Sequence, residues 1–383
     1  MIFIQNAHIL PMVGEELERG CLLLDGGKIA AIGAELSAPE GAEVIDAGGR
    51  LVTPGCVEAH CHIGLDDEAM GWEGDDYNEI VDPITPQMRA IDSINPQDEA
   101  FAEAVRGGVT TACTGPGSAN VVGGTFAVIK LCGKRVDKMV LKDPAAMKCA
   151  FGENPKACYG KNGGKAPMTR MGTAALLREL LFKAKRYRED KLTGKEPAFD
   201  MKLEAMLPVM AGEIPLKCHC HRADDILTAV RIAKEFGLQA TLDHCTDGAL
   251  IADELAEEGF PVFVGPSLGH KSKIELANKS FTTPGVLSRA GLRVSIITDA
   301  PVIPLQYLPM CAGLAVSSGM EREEAWKAIT IHSAESLGVA DRVGSLEVGK
   351  DADLVIWTAD PLAQIGGEAY LTMIDGQVVY RKD

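Results

Sequence analysis

Short apolar runs, broken by glycine-rich or polar turns, occupy both ends of the chain. In the first 53 residues they predict strands at 2–4, 21–24, 28–32 and 43–46. From about Gly344 the same pattern returns, with predicted strands at 353–357, 371–374 and 377–380. Neither end carries enough apolar surface for a core of its own. We therefore expect the two ends to pair with each other.

Between the ends, strand-like apolar runs alternate with amphipathic helices. Helices are predicted after the cap at 95–98, around 173–187, at 224–236, from Thr246 to Gly259 and at 283–291. Strands are clear at 109–113 and 294–297, whereas 126–132 and 145–151 become strands three and four only by elimination. Residues 152–200 read as an excursion beside the strand ends. This alternation is typical of a parallel α/β architecture.

Residues that could bind a metal lie at the ends of the predicted strands. His60 and His62 close an apolar run that follows Pro54-Gly55, and alternation along a strand turns both side chains to one face. The pattern recurs at His219 and His221, at His244 and at Asp299, each of which ends or follows another apolar run. Imidazole nitrogens and carboxylate oxygens are ligands for borderline metals such as zinc. The pattern therefore predicts a metal site.

These motifs together resemble the metal-dependent amidohydrolase superfamily, in its imidazolonepropionase-like and dipeptidase-like branch. The stretch Gly-Lys-Asp-Ala-Asp-Leu-Val at 349–355 and the turn Ile374-Asp375-Gly376 match as well. The resemblance implies an α/β fold, a (β/α)8 TIM barrel formed by residues 54–343. Beside it, residues 1–53 and 344–383 would form a small composite β-sandwich domain.

The resemblance also implies one or two divalent metal ions, with zinc as the expected metal. One ion would be held by His60, His62 and Asp299, and the other by a fifth-strand histidine and His244. A bridging anion is expected between them. We favour Glu153 as this bridge, with a carboxylated Lys148 as the alternative.

Alternation leaves two candidates for the fifth-strand ligand, because His219 and His221 face the same side. The resemblance favours His219 as the ligand and turns His221 toward the substrate. His270, Arg222 and Lys273 lie in loops that follow predicted strands and are further candidates for substrate binding.

The implied activity is the hydrolysis of a carbon–nitrogen bond (an amide, a lactam or a cyclic amide) in a small molecule. A metal-activated hydroxide would attack the substrate, and Asp299 would serve as general base and then as general acid. A deaminase of an aminated heterocycle is the first alternative. Such deaminases usually carry a glutamate three residues after the fifth-strand histidine, where this chain has Arg222 or Asp224. A non-catalytic scaffold that kept the barrel is the second.

The composition of the chain limits which partners and which cellular compartment are expected. A formal net charge of −16 over 383 residues argues against nucleic acid and anionic membranes as partners, and a homo-oligomer is possible. Eleven cysteines without a regular CxxC pair, and no secretory leader or membrane-length apolar run, favour the reducing cytoplasm.

Overall fold

The computed structural model describes all residues, 1–383, and its strands form two eight-stranded sheets. In chain order the strands are β1 (Ile2–Ile9), β2 (Leu17–Asp25), β3 (Lys28–Gly33), β4 (Glu43–Asp46), β5 (Leu51–Pro54), β6 (Cys56–Cys61), β7 (Val109–Thr114), β8 (Val122–Lys130), β9 (Val140–Ala150), β10 (Leu216–Cys220), β11 (Ala240–His244), β12 (Val262–Val264), β13 (Val294–Ile296), β14 (Leu354–Trp357), β15 (Ala369–Ile374) and β16 (Gln377–Arg381).

Ten α-helices accompany the sheets, and none combines the length and the apolar character needed to cross a membrane. They are α1 (Glu99–Arg106), α2 (Glu153–Pro155), α3 (Arg170–Leu192), α4 (Met201–Ala211), α5 (Ala223–Phe236), α6 (Ala252–Glu258), α7 (Thr283–Arg289), α8 (Leu308–Ser317), α9 (Arg322–Ala328) and α10 (Ile331–Leu337).

The first sheet draws its strands from both ends of the chain. Its order is β16-β15-β14-β5-β1-β2-β3, with β4 paired to β1, and β5 and β14 join the two ends in an antiparallel pair. Buried side chains from both ends, such as Ile4, Leu22 and Leu354, pack in one hydrophobic cluster. The expected pairing of the ends is therefore present in this sheet. Its status as a β-sandwich domain with the bounds 1–53 and 344–383 stays a prediction.

The second sheet runs in the order β6 to β13, and its two end strands approach each other, consistent with a TIM barrel. The expectation that all eight strands run parallel is wrong at the third, because β8 is antiparallel to both β7 and β9. The reason lies in the connections. Only residues 115–121 and 131–139 link these strands, and a parallel crossover needs roughly a dozen residues or more.

Most of the predicted helices are present, and their ends follow the local sequence signals. Asp98 caps α1 by accepting a hydrogen bond from the Ala100 N–H, and α5 ends at Gly237 in a left-handed conformation. The predicted helix at 173–187 forms the central part of α3, whose apolar residues pack against β9 and β10 in one cluster. The sequence pattern does not predict α4 or α8–α10.

One helix differs from its prediction in a way that matters for the site. Thr246 does not cap a helix, since a 3-10 turn at Gly248–Ile251 precedes α6 and the side chain of Ile251 cannot cap it. The Thr246 hydroxyl is instead hydrogen-bonded to His221 Nδ1 at 2.8 Å. The residue thus orients a site histidine.

Candidate metal centre

His60, His62 and Asp299 meet at the ends of the first and last strands of the second sheet. His60 lies on β6, His62 follows it, and Asp299 comes three residues after β13. Asp299 Oδ1 lies 3.2 Å from His62 Nε2 and 3.5 Å from His60 Nε2. Both histidines are buried, and the Asp299 side chain is 15% exposed. The three residues form one candidate metal-binding group.

His219, His221 and His244 form a second group, with one nitrogen atom of each within 4.8 Å of the others. The His219 and His244 rings are 4.4 Å apart, and the His221 and His244 rings are stacked at 4.5 Å. The His244 ring is also 5.2 Å from that of His60, so the two groups are neighbours. A single site of five histidines and one aspartate results.

The orientation of three rings is set by hydrogen bonds at Nδ1. His62 Nδ1 donates to the Gly115 carbonyl and His244 Nδ1 to the Gly265 carbonyl, each at 2.7 Å. His60 Nδ1 lies 2.6 Å from Asp243 Oδ2, an acceptor. Because carbonyl and carboxylate oxygens only accept here, the proton sits on Nδ1 and Nε2 of each ring is unprotonated.

Several buried atoms of the site have no hydrogen-bond partner, among them His219 Nδ1, His244 Nε2 and Asp299 Oδ1. Leaving a buried polar atom unpaired costs about 1–3 kcal/mol, so native proteins rarely do so without a reason. Nitrogen and carboxylate oxygen are the donors that zinc and related cations take. The residues present therefore fit a divalent cation in each group.

Burial and neighbouring charge keep the imidazoles neutral. Burial lowers the pKa of His60, His219 and His244 well below the usual range, and the Lys148 ammonium adds to the shift. Burial alone would raise the pKa of Asp299, but its polar and cationic surroundings, the Lys148 ammonium among them, outweigh burial, and the pKa is lowered. Neutral imidazoles and an ionised carboxylate are the forms that bind metals.

The backbone is left-handed at two of these residues, with φ of +76° at His244 and +55° at Asp299. Such angles are costly for residues with a side chain and collect at functional sites. At His244 the angle has a visible effect. Successive strand residues point to opposite faces, yet Asp243 contacts His60 while His244 joins the histidine group. The left-handed turn brings both side chains to the centre.

Glu153, the favoured bridge, is not brought into either group. Its backbone N–H donates to Glu275 Oε2 at 3.0 Å. Lys148, the alternative, is fully buried with Nζ 3.2 Å from His60 Nε2. Burial, the first cause, lowers the pKa of Lys148 to about 8.

The predicted substrate-facing residues separate into two kinds. His221 lies within the second group, and Lys273 Nζ donates to Asn154 Oδ1 at 2.8 Å beside it. The Arg222 guanidinium is instead paired with Asp224, and its side chain is 40% exposed. His270 is exposed, and only its carbonyl is engaged, by Lys279. The structure thus keeps His221 and Lys273 near the histidines and leaves Arg222 and His270 outside the group.

Two buried acids at the site were missed from the sequence. Glu275 is 1% exposed, and its Oε1 lies 3.9 Å from His219 Nε2, 3.8 Å from His221 Nε2 and 2.7 Å from Lys273 Nζ. Nothing in its lysine-rich loop signals burial. Asp243 did carry a signal, since it is an acid inside an apolar strand directly before His244.

Comparison with known proteins agrees with this geometry. Residues 170–379, more than half of the chain, match the model of the Amidohydrolase family. The crystal structure of an amidohydrolase from Thermotoga maritima MSB8 is 41% identical, with a TM-score of 0.96 and 100% of both chains covered.

Two curated relatives extend the comparison. An imidazolonepropionase of Klebsiella pneumoniae (strain 342) is 26% identical over 95% of this chain and 92% of its own length. The amidohydrolase tasK of Hapsidospora irregularis is 29% identical over 93% of this chain, which spans only 39% of that relative. With the family match and the Thermotoga likeness together, the chain belongs to the amidohydrolase family, whose members are metal-dependent hydrolases of carbon–nitrogen bonds.

Proposed function

We propose that this protein hydrolyses a carbon–nitrogen bond in a small cyclic amide or amide, using two divalent cations held by its histidine groups. The observation that carries the proposal is a set of buried atoms without hydrogen-bond partners, His219 Nδ1, His244 Nε2 and Asp299 Oδ1, on residues of the two candidate metal-binding groups. The likeness to an imidazolonepropionase over 95% of the chain supports a cyclic amide as substrate.

His60, His62 and Asp299 would hold one cation, and His219 and His244 the other. Cations bound there would supply a water nucleophile of lowered pKa and polarise a carbonyl oxygen. His219 is retained over His221 as the ligand because the family resemblance favours it, and its Nδ1 has no hydrogen-bond partner. The bond from Thr246 at Nδ1 sets the orientation of the His221 ring. The Nε2 atom of His221 is then left to orient the substrate.

Asp299 is the proposed general base and acid. Its lowered pKa keeps the carboxylate ionised near neutral pH, so that it can accept a proton from the attacking water. The carboxyl group can then deliver the proton to the departing nitrogen. Asp299 follows Thr298, whose backbone N–H and hydroxyl are both hydrogen-bonded to Glu58, and this anchor holds the carboxylate in place.

Lys148 replaces Glu153 as the proposed bridge, as a lysine carboxylated by carbon dioxide. Lys148 Nζ is fully buried beside His60, and no carboxylate of the chain lies within 4 Å of it. A buried ammonium without an anionic partner is costly. Carboxylation would convert it into the anion that two neighbouring cations require, at a point where Glu153 does not reach.

The proposal also covers the identity of the metal, the cellular compartment, the domain bounds and the oligomeric state. Zinc is the proposed metal because the donors are imidazole nitrogen and carboxylate oxygen. The cytoplasm is the proposed compartment because all eleven cysteines are free thiols. Residues 54–343 are proposed as the hydrolase domain, and a homo-oligomer stays a prediction.

The test is metal analysis of the purified protein combined with a hydrolysis screen over imidazolones, lactams, N-acyl amino acids and dipeptides. We expect bound divalent metal and turnover of at least one cyclic amide, lost on chelation and restored by zinc. Aminated heterocycles belong in the same screen, since ammonia release from them would favour the deaminase. A protein that binds no divalent metal would overturn the proposal.

A further inference from the structure

Lys217 is a fully buried lysine on β10, two residues before His219 and therefore on the same face of the strand. Its Nζ donates to the Ala59 carbonyl at 2.9 Å and lies 3.1 Å from Asp243 Oδ2. The Phe263 ring covers it, with Nζ 4.0 Å from the ring centroid. A lysine so far from water requires a specific reason.

Asp243, the partner of Lys217, is equally buried, and both of its oxygens are engaged. Oδ1 accepts a hydrogen bond from the Thr241 hydroxyl at 2.8 Å, and Oδ2 accepts one from His60 Nδ1 at 2.6 Å. This second contact leaves the Nε2 lone pair of His60 facing Asp299, 3.5 Å away. A carboxylate behind a metal-binding histidine commonly fixes the ring and its tautomer.

Lys217 thus reaches the His60 ring through Asp243, and the hydrogen bond to the Ala59 carbonyl keeps its ammonium in place beside that carboxylate. Without Lys217 the Asp243 carboxylate would be a buried anion with only neutral partners, an arrangement that costs several kcal/mol. The Asp243 carboxylate would then be held less firmly, and so would the His60 ring that is hydrogen-bonded to it.

We propose that Lys217 is a positioning residue that acts through Asp243 to fix the ring of His60 and thereby sets the affinity of the centre for a divalent cation. The inference rests on the proposed function, in which His60 is a metal ligand. Lys217 itself binds no metal in this arrangement, because its ammonium is occupied by Ala59 and Asp243.

The test is titration of metal-free protein with cobalt(II) against a competing chelator, read by the visible absorption of the bound ion. Lys217→Met is expected to weaken cobalt binding by about 10–100-fold, the range for loss of a partner behind a ligand, and to alter the absorption spectrum. Asp243→Asn is expected to do the same. The double variant should bind no more weakly than Asp243→Asn alone, because Lys217 acts through Asp243.

Lys130→Met is the matched control. Lys130 is also a buried lysine paired with carboxylates, Asp351, Asp353 and Asp375, but it touches neither histidine group. It should lose stability and retain wild-type cobalt affinity and spectrum. If Lys130→Met lost as much cobalt affinity as Lys217→Met, general destabilisation would explain both losses. That result would overturn the inference.

The remaining outcomes separate this inference from the proposed function. Wild-type protein that binds no cobalt overturns both. Wild-type protein that binds cobalt, with Lys217→Met binding as tightly and with the same spectrum, overturns only the role of Lys217. If Lys217→Met does not fold, Lys217→Gln takes its place, since its amide can still donate to the Ala59 carbonyl but carries no charge to pair with Asp243. Unchanged cobalt affinity and spectrum in Lys217→Gln then overturn the inference.

Discussion

The Glu58 carboxylate accepts two hydrogen bonds from Thr298, from the backbone N–H at 2.9 Å and from the hydroxyl at 2.7 Å. Its other oxygen accepts one from the His60 N–H at 2.9 Å. One buried side chain on β6 thus ties the strand that carries His60 to the segment that carries Asp299. The two ligand-bearing ends of the sheet are held in register through Glu58.

Glu58→Gln is expected to lower the free energy of unfolding by about 1–3 kcal/mol, because the amide must turn its NH2 group toward a donor that is already present. All three contacts of Glu58 are donors, so neither orientation of the amide satisfies them. Urea denaturation followed by circular dichroism measures the change. Glu73→Gln, at an exposed position, is the control and should be neutral.

Asp299→Asn is expected to reduce turnover by at least about 100-fold, since an amide cannot accept and return the proton. Most of the metal should remain bound, because the five histidines are intact. Single-turnover rates with the substrate found by screening, together with metal content per chain, test both halves. Full activity in the variant would remove Asp299 from the chemistry.

Lys148→Ala and Glu153→Ala separate the two candidate bridges. Because Lys148 Nζ lies 3.2 Å from His60 Nε2 while Glu153 is outside both groups, only the lysine variant should lose bound metal. Elemental analysis of the two proteins, purified side by side, provides the measurement. The opposite result, with metal lost only in Glu153→Ala, would return the bridging role to the glutamate.

Asp353→Asn is expected to change how stability depends on pH. Burial raises the pKa of Asp353 from 3.8 to about 6, although Lys130 and the Asp375 N–H oppose the shift. Between these values the folded protein holds a proton that the unfolded chain has released. Asp353 therefore contributes stability at low pH that is lost as the pH rises from about 4 to about 6.

The loss amounts to roughly 1–3 kcal/mol, from about 1.4 kcal/mol per pKa unit. In Asp353→Asn this part of the fall in unfolding free energy between about pH 4 and 6 should be absent. Loss of the ion pair to Lys130 shifts the unfolding free energy of the variant by the same amount at every pH. Unfolding free energies at several pH values between 4 and 7 provide the comparison. Parallel curves for wild type and variant would contradict the raised pKa.

Much of the candidate site could be read from local sequence. His60, His62, His244 and Asp299 each end or follow an apolar run, and strands in one sheet bring such ends to a common edge. The structure does bring these four residues together. Their roles as ligands stay predictions that the variants above address.

Other parts depended on contacts that no local pattern records. The antiparallel course of β8 follows from the two short connections beside it, but apolar content alone does not reveal strand direction. Glu275 sits in a polar, lysine-rich loop, and only the approach of His219 and His221 makes it a buried acid.

The sequence by itself determined which residue types stand at strand ends, because side-chain alternation and turn signals are properties of a few neighbouring residues. Only the tertiary structure decided that Lys148 and not Glu153 lies beside His60, and that Lys217 reaches Asp243. These choices depend on distances between strands far apart in the chain. Such distances are set by how the whole sheet curls and packs.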